Sequence, residues 1–347
     1  LGKTCVAESD EDSSALSPAV VAIGASAGGV SAIAELVGAL PADFGAAVLV
    51  VLHVNPTGTS VLPQILGRAG PLPAAHATQG ERLQAGVIRV APPDHHLLTE
   101  GCRIRLHRGP RINGHRPAVD TLFGSVARSH GKSAVGIVLS GTMDDGTIGL
   151  GEIKLAGGIT FAQDPQEAEF SAMPSAAVEA GVVDHRLPVK EIASMLCVLP
   201  LDPVEPGGSG GSGGSGGATG LSSSSQLSSF SLGGAPLGFS CPDCGGVLEQ
   251  QAVGAADIFR CRVGHQYSLE SLVVVHAAAL DESLWAGYRS LKEQAELCRR
   301  LASRLHGSTG EGWLTYQRRA EDADRRADTI HRLLTQTETQ VADTHGG

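Results

Sequence analysis

Between residues 18 and about 200, short apolar runs alternate with stretches whose apolar positions recur every three or four residues. The runs at 19–23, 46–52, 87–90, 134–139, 159–162 and 182–184 predict strands. The longest of them, 19–23, 46–52 and 134–139, are apolar without alternation, which is the pattern of strands buried on both faces. The 3.6-residue period predicts helices over 30–39, 60–67, 119–128, 148–156, 174–180 and 189–196. Strand followed by helix, repeated, is the signature of an α/β fold with a doubly wound, mostly parallel sheet. Residues 103–107 add a candidate hairpin near the third strand.

The pattern then changes. Residues 201–238 are Gly/Ser-rich, with nine consecutive Gly or Ser residues at 207–215, and predict a flexible linker. As a coil of about 36 residues its ends would lie roughly 30–35 Å apart. A small cysteine/histidine module follows at 239–270, and a helical hairpin is expected over 271–340. One stripe of the hairpin runs Leu280, Leu284, Tyr288, Leu291, Ala295, Cys298, Leu301, Leu305; the other runs Trp313, Tyr316, Ala320, Ala323, Ala327, Ile330, Leu334. A lone pair of such helices leaves apolar edges, so a homodimer or a regulatory partner is expected there. Residues 1–17 are polar and acidic and read as a disordered lead-in.

A net charge of −10 argues against nucleic acid or an anionic membrane as partner. No apolar run approaches a membrane span, and the first twenty residues lack a secretory pattern. Three of the seven cysteines fall in one short segment, which is a metal pattern and not a disulfide framework. A cytoplasmic protein is the expectation. A sequence that starts at Leu1 need not be a full chain.

The first strand runs into Gly24-Ala25-Ser26-Ala27-Gly28-Gly29 and then a helix. Small neighbours allow a sharp turn that leaves Ser26 at the sheet's carboxyl edge, against a helix N-terminus. The same glycine-rich turn would also suit a bound phosphate or a bystander serine. His53 directly follows the second strand, and Ser140-Gly141-Thr142-Met143-Asp144-Asp145-Gly146 follows a later one. Strand ends of a doubly wound sheet converge on the ligand crevice. A hydroxyl, a base and an acid gathered there would suit acyl transfer. Two plainer roles compete: His53 as a strand cap, and Asp145 as cap of the helix near Ile148.

Cys241-Pro242-Asp243-Cys244 forms a thiolate knuckle, and Cys261 with His265 supplies a second pair after a gap of sixteen residues. Three thiolates and one imidazole fill a tetrahedral zinc site completely, so the expected zinc is structural.

Residues 18 to about 198 resemble the catalytic domain of the chemotaxis protein-glutamate methylesterase (CheB-type) family. The matching blocks are 23–29, 53–56, 90–97, 113–120, 139–146 and 173–174. The resemblance implies Ser26 as nucleophile, His53 as base, Asp145 as orienting acid and the Thr142 N–H as oxyanion donor. It implies hydrolysis of glutamate γ-methyl esters on methyl-accepting chemoreceptors through an acyl-Ser26 intermediate, with glutamine deamidation by the same route. It also implies that catalysis needs no cofactor. The stretch 259–267 resembles a zinc-ribbon-like extension of stand-alone relatives. His95 and His96, beside the hairpin region, are expected at the surface or satisfied in the core, with contact of one of them to substrate as the alternative. His115, Arg116 and Asp120 are expected to be structural, with Arg116 also able to meet receptor carboxylates. Asp144 is expected to point away and be exposed.

Two departures stand out. The family's Leu-Thr-Gly-Met-Gly-x-Asp-Gly reads here with Ser140 for threonine and Thr142-Met143 for Met-Gly. A side chain at 143 resists the left-handed backbone a glycine allows. Few residues precede the first strand, so the phosphoacceptor domain of typical relatives is not expected here, nor is control by its phosphorylation. The altered loop motivates an alternative: a catalytically weak scaffold that binds signalling partners through the module and hairpin.

Overall fold

The computed structural model describes residues 16–204, 236–253, 256–306 and 312–344. Residues 1–15 of the expected lead-in, nearly all of the linker and the hairpin turn lie outside these residues; Ser17, at the end of the expected lead-in, is buried and bridged to Val204.

The first part of the chain carries β1 (Val20–Ala25), α1 (Gly29–Gly38), β2 (Ala47–Leu52), α2 (Leu62–Ala69), β3 (Ala74–His76) and β4 (Ile88–Val90). The hairpin β5 (His96–Glu100) and β6 (Arg103–His107) follows, then α3 (Val119–His130) and β7 (Ala134–Val138). Next come α4 (Thr147–Leu155), β8 (Ile159–Gln163), α5 (Ala172–Glu179), β9 (His185–Leu187) and α6 (Val189–Leu196). Seven strands form one sheet in the order β3-β4-β2-β1-β7-β8-β9, and every pairing in it is parallel.

Both faces are covered, which is why the central strands β1, β2 and β7 read as continuous apolar runs. On β1, Val21 and Ile23 face one core with Ile33, Leu36 and Ile192 of α1 and α6. Val20 and Ala22 face the other, with Leu122, Phe123 and Val126 of α3 and Leu150 and Ile153 of α4. Two strands depart from expectation. β3 is only three residues long, too short to carry a period, and β9 forms at His185–Leu187, just past the predicted 182–184.

Beyond the undescribed tract, β10 (Pro236–Ser240), β11 (Val247–Val253), β12 (Ala256–Cys261) and β13 (Gln266–Ser268) form an antiparallel sheet. Two long helices follow, α7 (Leu269–Leu305) and α8 (Gly312–Thr344). The chain divides between Leu272 and Val273 into two units, so the four-stranded module groups with the large sheet.

In the second unit α7 and α8 pair antiparallel. Trp285 and Tyr288 meet His331, Lys292 and Arg299 pair with Asp324, and His306 meets Trp313. The seam is small-residue: Ala295, Cys298, Ala320, Ala323 and Ala327 are buried, whereas Leu280 and Leu301 of the predicted stripe are exposed. Among the described residues no helix is long and apolar enough to cross a membrane.

Candidate active site

Strand β1 lies between β2 and β7, where the chain reverses its direction of travel across the sheet, and such a switch point opens a crevice at the strands' carboxyl ends. The parallel ladder continues just past these ends. Leu139 N–H donates to Gly24 O at 2.9 Å, Ser26 N–H to Ser140 O at 3.0 Å, and His53 N–H to Ala25 O at 3.2 Å. Residues 26, 53 and 140 are thereby set side by side by backbone bonds.

The serine turn is built on Gly28, whose φ of 71° starts α1. A Cβ there would sit 2.7 Å from Ser140 Oγ. That hydroxyl donates to Ala27 O at 2.8 Å and accepts the Phe170 N–H at 3.0 Å, locking two loops together. A Cβ on Gly141 would collide with Met173 Sδ and come within 3.0 Å of Ser26 Cβ, so only glycine lets the loop pass the serine this closely.

His53 Nε2 bonds Asp145 Oδ2 at 2.8 Å, with side-chain exposures of 6% and 0%, so the pair is shielded from water. Its Nδ1 is buried without a hydrogen-bond partner, and no bond joins it to the Ser26 hydroxyl among the described residues. Such contacts commonly tighten only when substrate binds. His115 stacks on the His53 ring. Burial, reinforced by the neighbouring His53 charge, pushes the His115 imidazole down to about 4, so it is neutral at neutral pH.

Asp145 accepts three further bonds: Val119 N–H at 2.7 Å, Asp120 N–H at 3.1 Å and Asn113 Nδ2 at 3.2 Å. The first two are the opening N–H groups of α3, where an anion is favoured. Burial works against its charge, but the His53 bond and these donors outweigh burial and hold the carboxyl well below its usual range. Asp145 does cap a helix, though α3 and not the one that follows it. The reciprocal role falls to Asp120 of α3, whose Oδ1 accepts Gly146 N–H at 3.0 Å and Gly149 N–H at 2.8 Å at the start of α4. Burial first, then the charge of Asp145, raises the Asp120 carboxyl well above its ordinary value.

The remaining candidates have partners within the fold. His96 is buried between Pro110 O at 2.9 Å and the Ala118 N–H at 3.3 Å, and His95 Nδ1 meets Pro93 O at 2.9 Å. Arg116 is committed to Asp94 and Gly109 O. Asp144 is half-buried, not exposed, and accepts the Ser271 hydroxyl at 2.7 Å. Thr142 is exposed beside Met143, whose φ of 63° is the left-handed conformation that glycine would occupy without strain. Asn113 and the stacked His115 were inside a matching block, but only the Asn113-Gly114 dipeptide signals anything locally, namely a turn.

Cys241, Cys244, Cys261 and His265 converge, their ligand atoms all within 4.8 Å of one another. Cys244 Sγ lies 3.7 Å from Cys261 Sγ, and His265 Nδ1 lies 3.6 and 3.5 Å from Cys241 and Cys261 Sγ. A tetrahedral ion with bonds of about 2.3 Å to sulfur requires edges of about 3.8 Å, so these residues fit one. The Tyr267 hydroxyl donates to Asp243 at 2.6 Å and lies 3.6 Å from Cys241 Sγ, bracing the knuckle from outside.

The family described as CheB methylesterase matches residues 21–196, half of the chain. A putative protein-glutamate methylesterase/protein-glutamine glutaminase of Leptospira interrogans is 34% identical over 176 residues, covering 50% of this chain and 91% of that relative. Protein-glutamate methylesterase/protein-glutamine glutaminase 2 of Anaeromyxobacter dehalogenans is 41% identical over 177 residues, 51% of this chain and 52% of the relative. The chain thus spans about half the length of that relative. The CheB methylesterase catalytic domain of Thermotoga maritima superposes with a TM-score of 0.51 at 31% identity, covering 52% of this chain and 98% of that one. With half its length matched by the family, and the same sheet carrying the serine, the histidine and the buried aspartate, the chain belongs to the CheB methylesterase family.

Proposed function

We propose that this protein is a serine hydrolase that removes methyl groups from glutamate γ-methyl esters of chemoreceptors and deamidates glutamines by the same route. The observation that carries the reading is the shielded 2.8 Å bond from His53 to Asp145, with the other imidazole nitrogen left unpartnered one strand from Ser26.

With Nε2–H held by Asp145, Nδ1 is the basic nitrogen. It takes the proton of Ser26 as Oγ attacks the ester carbonyl. Backbone N–H groups, that of Thr142 among them, receive the oxyanion, a contact worth about 2.7–4 kcal/mol per donor. The tetrahedral intermediate collapses, and methanol leaves with the proton from His53. Water, deprotonated by the same nitrogen, then cleaves the acyl-Ser26 bond and frees the glutamate carboxylate. Asp145 stays ionised throughout and stabilises the imidazolium.

The Cys241, Cys244, Cys261 and His265 set would hold a zinc ion that organises the module and takes no part in the ester chemistry. A cytoplasmic location and receptor partners follow from the family reading. Methanol release from methylated receptor fragments tests the activity. Turnover abolished by Ser26→Ala is expected; turnover unchanged in that variant would defeat the mechanism.

A second reading, a weak or inactive scaffold, draws on the left-handed Met143 in the loop that would present the oxyanion donor. Receptor binding without methanol release would favour it.

A further inference from the structure

Asn113 sits where the catalytic pair and the Cys/His module meet. It is 2% exposed, and its φ of 51° puts it in the left-handed region, which turns its side chain and its own N–H to different neighbours. On one side its amide Nδ2 donates to Asp145 Oδ1 at 3.2 Å and to Asp120 Oδ2 at 3.1 Å. On the other, its backbone N–H donates to Gln266 O at 2.7 Å, and its Oδ1 accepts the Ser268 N–H at 3.0 Å. Gln266 and Ser268 belong to β13 of the module. The residue before Gln266 is His265, one of the four clustered ligands.

The grip extends to the two residues that precede Asn113. Gln266 N–H donates to Arg111 O at 3.3 Å, Ile112 forms a parallel bridge to Gln266, and Arg111 pairs with Asp243 of the knuckle at 3.6 Å. Ser271 donates to Asp144, the residue beside Asp145, at 2.7 Å. The module thus reaches Asp145 through a continuous set of bonds, from His265 through Gln266 and Asn113. The orientation is fixed from both ends: the amide NH2 faces the two carboxyl oxygens and the amide oxygen accepts the Ser268 N–H, so a reversed amide would lose all three bonds.

We infer that Asn113 is a positioning residue for the Asp145–His53 pair and that the module, by holding Asn113 through Gln266 and Ser268, makes the alignment of that pair depend on metal loading. The inference rests on the hydrolase and zinc readings above. With metal bound, His265 is fixed and β13 presents a rigid edge. Without it, the edge loosens, the Asn113 amide loses its fixed orientation, and Asp145 loses a donor opposite His53. Outer partners of metal ligands typically change activity about 10–100-fold, and a loss of that order is expected for this outer partner of Asp145.

The test uses the full chain, zinc-loaded and chelator-stripped, as wild type and as Asn113→Ala. Two quantities are read: kcat/KM for methanol release, and the low-field NMR proton of His53 Nε2–H in its bond to Asp145. Metal content and far-UV circular dichroism accompany each sample. Stripping wild type is expected to erase or broaden the low-field proton and lower kcat/KM about tenfold or more, with the helical signal kept. Loaded Asn113→Ala should already show both losses, and stripping it should change kcat/KM less than twofold. Asn113→Asp, which keeps the acceptor but removes the donor, should resemble Asn113→Ala. Equal losses on stripping in both backgrounds, or no change in the proton on stripping wild type, would overturn the inference. So would collapse of the helical signal, since the module would then support folding and not alignment. A chain that takes up no zinc defeats the zinc reading and this inference with it. An inactive chain whose low-field proton still responds to stripping defeats the hydrolase reading alone.

Discussion

The imidazole of His115 lies flat on that of His53, ring centroids 3.6 Å apart and planes within 10° of parallel. The lower ring is pushed down to about 4 by burial and by the His53 charge, so it is neutral wherever the enzyme would work. It therefore braces the His53 ring sterically and, under the proposed mechanism, does not compete for its proton. Stacked aromatic pairs contribute about 0.5–1.5 kcal/mol. His115→Phe keeps the stack and should leave kcat within about threefold, whereas His115→Ala should lower it about tenfold. Steady-state methanol release on both variants checks this; equal rates for alanine and wild type would remove His115 from the site.

Asp145 holds the tautomer of His53 by accepting from Nε2. Asp145→Asn presents an amide that can donate, so the imidazole flips its proton and Nδ1 ceases to be the base. In serine hydrolases of triad type the equivalent change lowers kcat about 10⁴-fold. The same variant also weakens the cap on α3, so a stability loss of about 1–2 kcal/mol should accompany it. Denaturant unfolding read beside the kinetics separates the two effects.

Met143 occupies φ 63° in the loop before Asp145. A side chain there costs roughly 1–2 kcal/mol relative to glycine. Met143→Gly should raise stability by about 1 kcal/mol and leave or improve kcat. A thermal melt and the esterase assay on one preparation test both halves.

His130 is buried with Ser17 Oγ 3.1 Å from its Nε2 and Ser129 Oγ 2.8 Å from its Nδ1. Burial lowers its imidazole from 6.5 to about 4. Between those values the unfolded chain binds a proton that the folded chain refuses. Stability is therefore complete above 6.5, falls as the pH drops toward about 4, and levels off below it, with a slope of at most about 1.4 kcal/mol per pH unit from this group. His115 adds a second contribution of the same sign. Urea midpoints measured across the window should be flatter in His130→Asn than in wild type.

The strands, the turns at their ends and the metal spacing could be read along the chain because each is a local device. Apolar runs such as 46–52 need only a few consecutive residues, and a Cys-x-x-Cys knuckle is closed by its own backbone. Which residues meet across long separations was decided by the fold alone. His53 and Asp145 are 92 positions apart and meet because β1, flanked by β2 and β7, draws their strand ends into one row. The exchange of caps, Asp145 on α3 and Asp120 on α4, inverts the local expectation because neighbouring helix N-termini present their free N–H groups to the same buried space. Asn113 bonds both the module and Asp145 because the fold brings them together, and nothing in an Asn-Gly dipeptide encodes a partner 155 positions away. Periodicity and spacing report the forces acting within a few residues; the contacts that give those residues their chemistry arise only when distant segments are excluded from water together.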